Sequence, residues 1–357
     1  MLDATVLERI GIAIGSTVSA LLIGLVIVAI SGYNPVTFAS QLLVGSFGSE
    51  RAVARTLRYS VLFVLAGVAV AIAFRAGVFN IGVQGQFIVG GFATVVSIIM
   101  LARSCRTERA VGSPDAYWYR RGDCRRRAVR GASGRVEAYG GANEIITTIM
   151  LNFIAIGFVG WLVAGRFGDP QATATRTEHL PDNVGFPSVV FDDPNLSIVG
   201  ILLTLAVVAL IATVMTRTSF GYDMVTSGTQ EAAATYSGVD AKRMIVSTMT
   251  LSGMVSGLAG AIFAIMIQGY FTDPSGIGNY GFDAIAVSLL AANNPIGVVP
   301  AGLLFGGLES AGSHIQISSD VPVQLIDGIV GLVVLFVAVP ELFRMIARRT
   351  GLGGENE

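Results

Sequence analysis

The chain has 357 residues, of which 53% are hydrophobic and 13% are charged, and its formal net charge is −1. This composition is typical of an integral membrane protein, and the near-neutral charge excludes nucleic-acid binding through a concentrated basic face. The two cysteines, Cys105 and Cys124, have the spacing of neither a metal site nor a disulfide framework. We therefore predict an all-α polytopic bundle of transmembrane helices, embedded in a lipid bilayer and forming one domain over residues 1–357.

Apolar stretches predict nine or ten membrane spans, because a bilayer-crossing helix needs roughly 20 mostly apolar residues. Nine are visible, at 10–31, 56–74, 82–101, 145–164, 196–216, 244–268, 283–292, 298–313 and 322–340. The first is longer than the core of a signal peptide and no clear cleavage site follows, so we expect an uncleaved helix. The later spans are short and interrupted by glycine and proline, which is typical of helices that line a cavity or are buried in protein.

The basic residues predict the orientation of these spans. They flank the loop 217–243 and follow the last span, so both segments, and both termini, are predicted to be cytoplasmic. The loop 165–195 is acidic and fits the outside. Three arginines depart from the rule, and their spacing suggests a short amphipathic helix along the membrane interface: Arg51, Arg55 and Arg58.

These orientations leave one crossing unaccounted for. Arg75 is predicted to be inside and the loop 165–195 outside, yet only the spans 82–101 and 145–164 lie between them. Two crossings return the chain to the side on which it started, whereas an odd number is required. One crossing is therefore missing between about 102 and 142.

Residues 102–136 are anomalous at this position because they contain ten arginines. Each arginine at the centre of a spanning helix costs about 2.5–3.5 kcal/mol on insertion scales. One interpretation is a basic cytoplasmic insertion, with a re-entrant segment elsewhere. The interpretation that we favour is a GC-rich helix-coding stretch read out of frame, which predicts a poorly packed segment and an inactive or unstable chain as written; resequencing of the gene tests it.

Amide side chains cluster in the motif FNIGVQGQ, where glycines interrupt the start of a helix. Asn80, Gln84 and Gln86 could bind a polar neutral solute, or they could satisfy the backbone groups freed by the break. The sequence leaves both roles open. Gly82 and Gly85 are expected to permit a tight turn and a close helix approach.

Three more polar residues lie within predicted spans. Asn152 follows the start of its helix by about one and a half turns and should face the bundle or a solute path. Glu309 and Asp327 are ionisable, which favours a functional role inside a membrane. Glu309 could pair with His314, a little over one turn away.

Two sets of glycines predict close packing between helices, namely Gly253, Gly257 and Gly260, and the pair Gly302 and Gly306. We expect both contacts to lie within the subunit. The sequence has no phosphate-binding loop, HExxH motif or paired-cysteine metal site. We therefore expect no cofactor, no bound metal and no ATP hydrolysis by this chain alone.

The loop 217–243, RTSFGYDMVTSGTQEAAATYSGVDAKR, is the one long, polar and helix-capable segment between two apolar spans. Its alanines at 232–234 favour a helix, and Gly228 and Gly238 are expected to break the helix on either side. An ordinary solvated connection is the alternative. We favour a docking segment for a soluble partner.

Three separated segments, in this order, resemble ABC importer permeases of the branched-chain amino acid and simple-sugar class. They are FRAGVFNIGVQGQFIVG at 74–90, GANEIITTIMLNFIA at 141–155 and YGFDAIAVSLLAANNPIGVVPAGLLFGGLESAG at 280–312. The last two resemble the subgroup that handles nucleosides, whose receptors are basic membrane lipoproteins. The loop 217–243 is similar to the family's EAA-like coupling segment, although Val-Thr-Ser stands where Arg-Ala-Val often precedes the glycine.

The resemblance implies a plasma-membrane permease subunit that carries a neutral polar solute, most simply a nucleoside. Its implied partners are cytoplasmic ATPase subunits, a second homologous permease or a second copy of the chain, and an extracytoplasmic solute-binding lipoprotein. The implied ATPase-coupling residues are Gly228, Glu231, Ala232, Ala233, Tyr236 and Gly238. The candidate translocation-path residues are Asn80, Gln84, Gln86, Asn152 and Glu309.

Two alternatives remain open. A simple-sugar permease of the ribose or galactose type has the same expected architecture. An ion-coupled carrier would use Glu309 and Asp327 without an ATPase, and the order of the motifs counts against it. An intramembrane enzyme is remote because the chain has no paired catalytic constellation.

Overall fold

The computed structural model describes residues 6–110, 144–181, 184, 196–318 and 321–338. Over these residues the chain forms twelve α-helices and no β-strand, which confirms the predicted all-α fold. The helices are α1 (Val6–Ile30), α2 (Pro35–Phe47), α3 (Glu50–Arg75), α4 (Val83–Ala110), α5 (Glu144–Ala164), α6 (Ile198–Arg217), α7 (Ser219–Thr229), α8 (Glu231–Tyr236), α9 (Ala241–Ile262), α10 (Tyr280–Leu290), α11 (Val298–Ser318) and α12 (Val323–Ala338). A π-helical turn, Phe263–Gln268, continues α9, and a 3₁₀ turn, Pro274–Gly276, precedes α10.

Five helices in the described part of the chain are long and apolar enough to cross a membrane. They are Glu50–Arg75, Val83–Arg103, Ile145–Ala164, Ile198–Arg217 and Ala241–Gln268, and each contains or overlaps a predicted span. Three shorter apolar helices are Thr17–Ile30, Pro35–Phe47 and Tyr280–Leu290. The multi-pass architecture predicted from apolar length is confirmed.

Helix α2 was not predicted, because its 13 residues are too few for a membrane span. A local signal for it does exist in the sequence. Asn34 is the N-cap residue, and its Oδ1 accepts hydrogen bonds from the N–H groups of Val36 at 2.9 Å and Thr37 at 3.2 Å. Pro35 follows at the first helical position, where its missing N–H costs nothing.

The separate interfacial helix predicted for Arg51, Arg55 and Arg58 is wrong. The three arginines lie in the first turns of α3, which runs without interruption from Glu50 to Arg75. No glycine or proline separates them from the apolar residues that follow, so nothing stops the helix from continuing.

The chain divides into two compact units, which we describe separately. The first contains Met1–Ala71, Ser188–Ala212 and Phe282–Glu357, and the second contains Ile72–Pro187 and Thr213–Gly281.

In the first unit, α2 packs against α11 and α1 packs against α12. Hydroxyl groups join α2 to α11, because Ser46 Oγ donates to the Gly307 carbonyl at 2.8 Å and Ser310 Oγ donates to the Gly45 carbonyl at 2.9 Å. Small polar residues that bond backbone carbonyls in this way allow helices to approach closely within a membrane.

In the second unit, α4 packs along α9 on one side and against α5 on another. The glycines of α9 make the first contact close: a Cβ atom at Gly260 would overlap the Phe87 carbonyl oxygen of α4. In the first unit, a Cβ atom at Gly306 of α11 would likewise overlap Ser60 of α3. Both predicted glycine contacts therefore occur within the subunit.

Helices α4 and α5 run parallel. Near their starts, the Gly85 N–H of α4 donates to the Asn152 Oδ1 of α5 at 2.8 Å. Near their ends, Arg103 Nη2 of α4 lies 2.6 Å from Oε1 of Glu178, which follows α5. The predicted sides of Arg75 and of the loop 165–195 require an odd number of crossings between them. With one further crossing between α4 and α5, these two helices would point in the same direction.

The segment 102–136 itself is described only in part. Residues 102–110 continue α4 beyond the predicted end of its span. Residues 111–143 lie outside the described part of the chain, and the proposed frame error within 102–136 stays a prediction.

Candidate functional site

The connection between α3 and α4 is a short break between two long apolar helices. Gly77 ends α3 in the left-handed conformation, with φ +70°. Its N–H donates to the Phe74 carbonyl at 3.1 Å, and the Val78 N–H donates to the Ala73 carbonyl at 3.1 Å. This is how a glycine commonly closes a helix, and it leaves the N–H groups at the start of α4 in need of partners.

Asn80 lies in this break and is completely buried, with 0% exposure. Its Oδ1 accepts a hydrogen bond from the Gly82 N–H at 3.0 Å. Its Nδ2 donates to Ser252 Oγ of α9 at 2.8 Å and to Gln86 Oε1 at 3.1 Å. One side chain thus joins the break, α4 and α9.

Asn152 reaches the same break from α5 and is 1% exposed. Its Oδ1 accepts from the Gly85 N–H at 2.8 Å, and its Nδ2 donates to the Ile81 carbonyl at 2.8 Å. The prediction that Asn152 faces the bundle is confirmed. Gly85 is required here, because a Cβ atom would stand 2.9 Å from the Asn152 Oδ1.

Gln84 is 2% exposed, and it contacts the last residues of the second unit, which precede and begin α10. Its Oε1 accepts from the Gly281 N–H at 2.7 Å, and its Nε2 donates to the Gly278 carbonyl at 3.1 Å. We call Asn80, Gln84, Gln86 and Asn152, with their hydrogen-bond partners, the amide network.

The structure brings four of the five candidate path residues together in the amide network, whereas Glu309 lies on α11 in the first unit. Asn80, Gln84 and Asn152 use both ends of their amide groups for internal hydrogen bonds. Gln86 is half-buried and has one such bond, to Asn80. The suggested pairing of Glu309 with His314 is replaced by another contact, since His314 Nε2 lies 2.9 Å from Gln41 Oε1.

Two hydroxyl residues of α9 were missed by sequence reasoning, namely Ser252, which bonds Asn80 of the network, and Ser256 beside it. Ser256 Oγ donates to the Val83 carbonyl at 2.7 Å, in the first turn of α4. The available signal was their spacing: with Thr248 they recur every four residues, which places three hydroxyl groups on one helix face. Within the described residues, no three His, Cys, Asp or Glu side chains converge on a site for a metal ion.

Residues 217–243, which we call the coupling segment, contain two helices, α7 and α8. The helix break falls at Gln230, whose φ and ψ are −155° and 93°. The prediction that Gly228 is a breaker is therefore wrong, because α7 continues through it to Thr229. Gly238 does end α8, with φ +87°, and Asp240 caps α9 by accepting the Arg243 N–H at 3.1 Å.

The coupling segment has one buried and one exposed side. Met224 of α7 and Ala234 of α8 are both 0% exposed. On the other side, Ala232 is exposed and Tyr236 is 97% exposed. An aromatic ring that makes so little contact with its own chain is typical of a residue that binds a partner.

Gly228 lies where α7 meets the end of α3. A Cβ atom at Gly228 would overlap the Ala76 backbone, and a Cβ atom at Gly77 would stand 2.7 Å from the Gly228 carbonyl oxygen. The close backbone contact leaves no room for a Cβ atom, so position 228 requires glycine. Helix propensity alone does not reveal this requirement.

Comparisons with a family profile and with individual proteins indicate the same family. The sequence profile of the branched-chain amino acid transport system / permease component family matches residues 132–339. The guanosine ABC transporter permease protein NupP of Bacillus subtilis is 30% identical over 93% of this chain and 94% of its own length. The nucleoside ABC transporter permease protein NupB of Lactococcus lactis is 26% identical over 89% of this chain and 87% of its own.

A relative named for a different substrate has a similar degree of identity. The glucose ABC transporter permease protein TsgB13 of Haloferax volcanii is 28% identical over 94% of this chain and 88% of its own length. Bacillus subtilis and Lactococcus lactis each have a second similar protein that carries the same transporter name. No solved structure matches the chain significantly. The chain belongs to the family of branched-chain amino acid transport system permease components.

Proposed function

We propose that this chain is one of two membrane permease subunits of an ATP-driven importer of nucleosides. The observation that carries the proposal is its 30% identity, over nearly the full length of both chains, to a permease named for guanosine transport. A nucleoside is polar and neutral, and such a solute needs hydrogen-bonding groups along its path but no fixed charge.

The coupling segment is the proposed docking site for cytoplasmic ATPase subunits, which hydrolyse ATP in place of this chain. Its exposed Ala232 and Tyr236 form the proposed contact surface, together with Glu231 and Ala233 of α8. Gly238 ends the short docking helix and Gly228 seats α7 on the chain beneath it. Movement of the ATPases would then shift the permease between inward-facing and outward-facing states.

Two contacts support the proposed orientation. The close approach of Gly228 to Gly77, near Arg75 at the end of α3, supports a common side for the coupling segment and Arg75. The pairing of Arg103 with Glu178 supports a common side for the end of α4 and the acidic loop. These are the sides that the charge distribution assigns to the cytoplasm and the outside, so we propose a plasma-membrane location with both termini inside.

The amide network of the second unit is proposed to border the translocation path, and Glu309 of the first unit remains a proposed path residue. Gln86 is the favoured solute ligand in the network, because it is half-buried and has one internal bond. Asn80, Gln84 and Asn152 would shape this part of the path by holding the break before α4 in place. The proposal thus assigns one of the two roles that the sequence leaves open, solute binding or structural support, to each amide residue.

The proposed partners follow from the same assignment. A second homologous permease completes the membrane part, as suggested by the second similarly named relative in Bacillus subtilis and in Lactococcus lactis. A solute-binding lipoprotein delivers the nucleoside from outside. Sugar transport is the second candidate, and the similarity to TsgB13, named for glucose, favours keeping it.

Deletion of the gene in its host, followed by complementation with the resequenced gene, tests the proposal. We expect the deletion to abolish uptake of labelled guanosine, and complementation to restore it, while glucose uptake stays normal. Loss of glucose uptake with normal guanosine uptake would support the sugar alternative instead. Normal uptake of both would contradict the proposed function.

A further inference from the structure

We propose that the backbone contact between Gly228 and residues Ala76–Gly77 transmits movement of the coupling segment to the start of α4. The inference rests on the proposed function, because it assumes that an ATPase moves the coupling segment. It assigns Gly228 and Gly77 a positioning role: neither touches the solute, and both act through the amide network.

The contact is made by backbone on both sides. A Cβ atom at Gly228 would overlap the Ala76 carbonyl group, and a Cβ atom at Gly77 would stand 2.7 Å from the Gly228 carbonyl oxygen and 2.9 Å from its Cα atom. At both glycines the nearest atoms of the facing segment belong to its backbone. A displacement of α7 therefore moves the end of α3 directly, whereas interposed side chains could absorb it by changing rotamers.

From Gly77 the displacement has a short route into the network. Asn80 follows three residues later and bonds the Gly82 N–H, Ser252 and Gln86. Hydrogen bonds to Gly82 and Gln86 couple Asn80 to the first turn of α4. Any shift of the break thus changes the position of Gln86, the proposed solute ligand.

The coupling segment also reaches the network through α9. Helix α9 begins at Ala241, directly after α8, and carries Ser252, which accepts the Asn80 bond. The coupling segment is therefore linked to the amide network in two ways, through α9 and through the contact of Gly228 with Gly77. Relative movement of these two connections would distort the break, whereas movement of both together would leave it unchanged.

Two buried hydroxyl groups without a hydrogen-bond partner in the described part of the chain lie close to this route. Ser227, which precedes Gly228, and Thr248, one turn before Ser252 on α9, have buried hydroxyl oxygens without a hydrogen-bond partner among the described residues. An unmade buried hydrogen bond costs about 1–3 kcal/mol. A second conformation in which these groups find partners would lower that cost, and a two-state element of this kind is what transmission requires.

The test uses two variants that approach the contact from opposite sides. Gly228→Ala adds one methyl group against Ala76, and alanine is otherwise favourable within a helix such as α7. Gly77→Asn adds a side chain against Gly228, and asparagine tolerates the left-handed conformation better than most residues.

Each variant has a matched control. Gly157→Ala makes the same change in helix α5, where a Cβ atom would meet nothing within 4 Å. Gly269→Asn makes the same change at φ +69°, beside +70° for Gly77, and also in open space. The controls reproduce the chemistry of each substitution without the contact.

The measurement is the ratio of guanosine imported to ATP hydrolysed by the assembled transporter in proteoliposomes. We expect both contact variants to lose about tenfold in this ratio, with both controls unchanged. A purely structural role would lower hydrolysis and uptake together and leave the ratio constant. An unchanged ratio in either contact variant would overturn the inference.

Failure of the contact variants to assemble, while the controls assemble, would also overturn the inference, since the contact would then serve folding. Failure of the proposed function looks different. In that case the wild-type transporter itself would import no guanosine, whatever the behaviour of the variants.

Discussion

The start of α4 and the coupling segment are both glycine-containing interruptions between long apolar helices. They differ in the exposure of their side chains. At the start of α4, Asn80, Gln84 and Asn152 are buried and bonded to backbone groups or neighbouring side chains. In the coupling segment, Ala232 and Tyr236 are exposed.

On the proposed topology, the difference follows from the solvent around each break. A helix break inside a bilayer has no water for its freed N–H and C=O groups, so side chains must bond them. A break outside the bilayer is hydrated, and its side chains remain available for a partner protein. The sequence alone therefore does not tell whether a side chain beside a helix break serves the fold or recognition of a partner.

The largest expected effect tests the buried side of this comparison. Asn152→Ala leaves the Gly85 N–H and the Ile81 carbonyl without the bonds that Asn152 supplies. Each unsatisfied buried group costs about 1–3 kcal/mol, so we expect a lower Tm in detergent and a lower yield of folded protein. The control is Gln171→Ala, which removes an exposed amide. Equal stability of the Asn152 variant and the wild type would show that the network does not hold the break.

The next effect tests the exposed side. Ala233→Trp and Glu231→Arg in α8 should abolish substrate-stimulated ATP hydrolysis, because they alter the proposed ATPase contact, while Tm and receptor binding stay normal. Ala174→Trp, at an exposed position of the loop predicted to lie outside, is the control. If both α8 variants keep their coupled hydrolysis, the docking assignment is wrong.

A smaller effect separates a solute ligand from a structural amide. Gln86→Ala removes a half-buried amide, and loss of one hydrogen bond to solute should raise the half-saturating guanosine concentration about 2- to 10-fold. Alanine at Asn80 or Gln84 should also raise it, but with a lowered Tm. Unchanged half-saturation in all three variants would leave these residues as packing groups.

The smallest effect concerns the junction between the two regions. Ser227→Ala removes a buried hydroxyl that has no partner among the described residues. We expect a small rise in Tm, because the unsatisfied group is lost, and slower uptake, because the conformation described here becomes harder to leave. Faster uptake would contradict this expectation.

Much of the fold could be predicted because bilayer thickness sets the length of apolar runs. Helices α5 and α6 lie within a few residues of their predicted bounds for this reason. Helix α2 was missed by the same criterion, since it is shorter than a span. The arginines of α3 were misplaced because charge suggested a boundary where the backbone has none.

The candidate site was less predictable because its partners are distant in sequence. Asn152 meets Gly85 across 67 residues and Gln84 meets Gly281 across 197, and no local pattern specifies such pairs. His314 was assigned to Glu309 by proximity along one helix, whereas its contact is Gln41, 273 residues away. Gly228 was misinterpreted because its requirement comes from a tertiary contact and not from its helix propensity.

The π-helical turn at Phe263–Gln268 has a further consequence for how this chain can change in length. In such a turn each hydrogen bond encloses one residue more than in an α-helix, so the turn is equivalent to an α-helix with a single inserted residue. Deletion of one residue there, such as Ile265, should restore α-helical winding and absorb the loss locally. The glycine contacts of α9 with α4 precede the turn and would keep their register. A deletion of one residue is therefore expected to be tolerated at this turn, whereas a deletion in the preceding turns of α9 would rotate Gly257 and Gly260 away from α4.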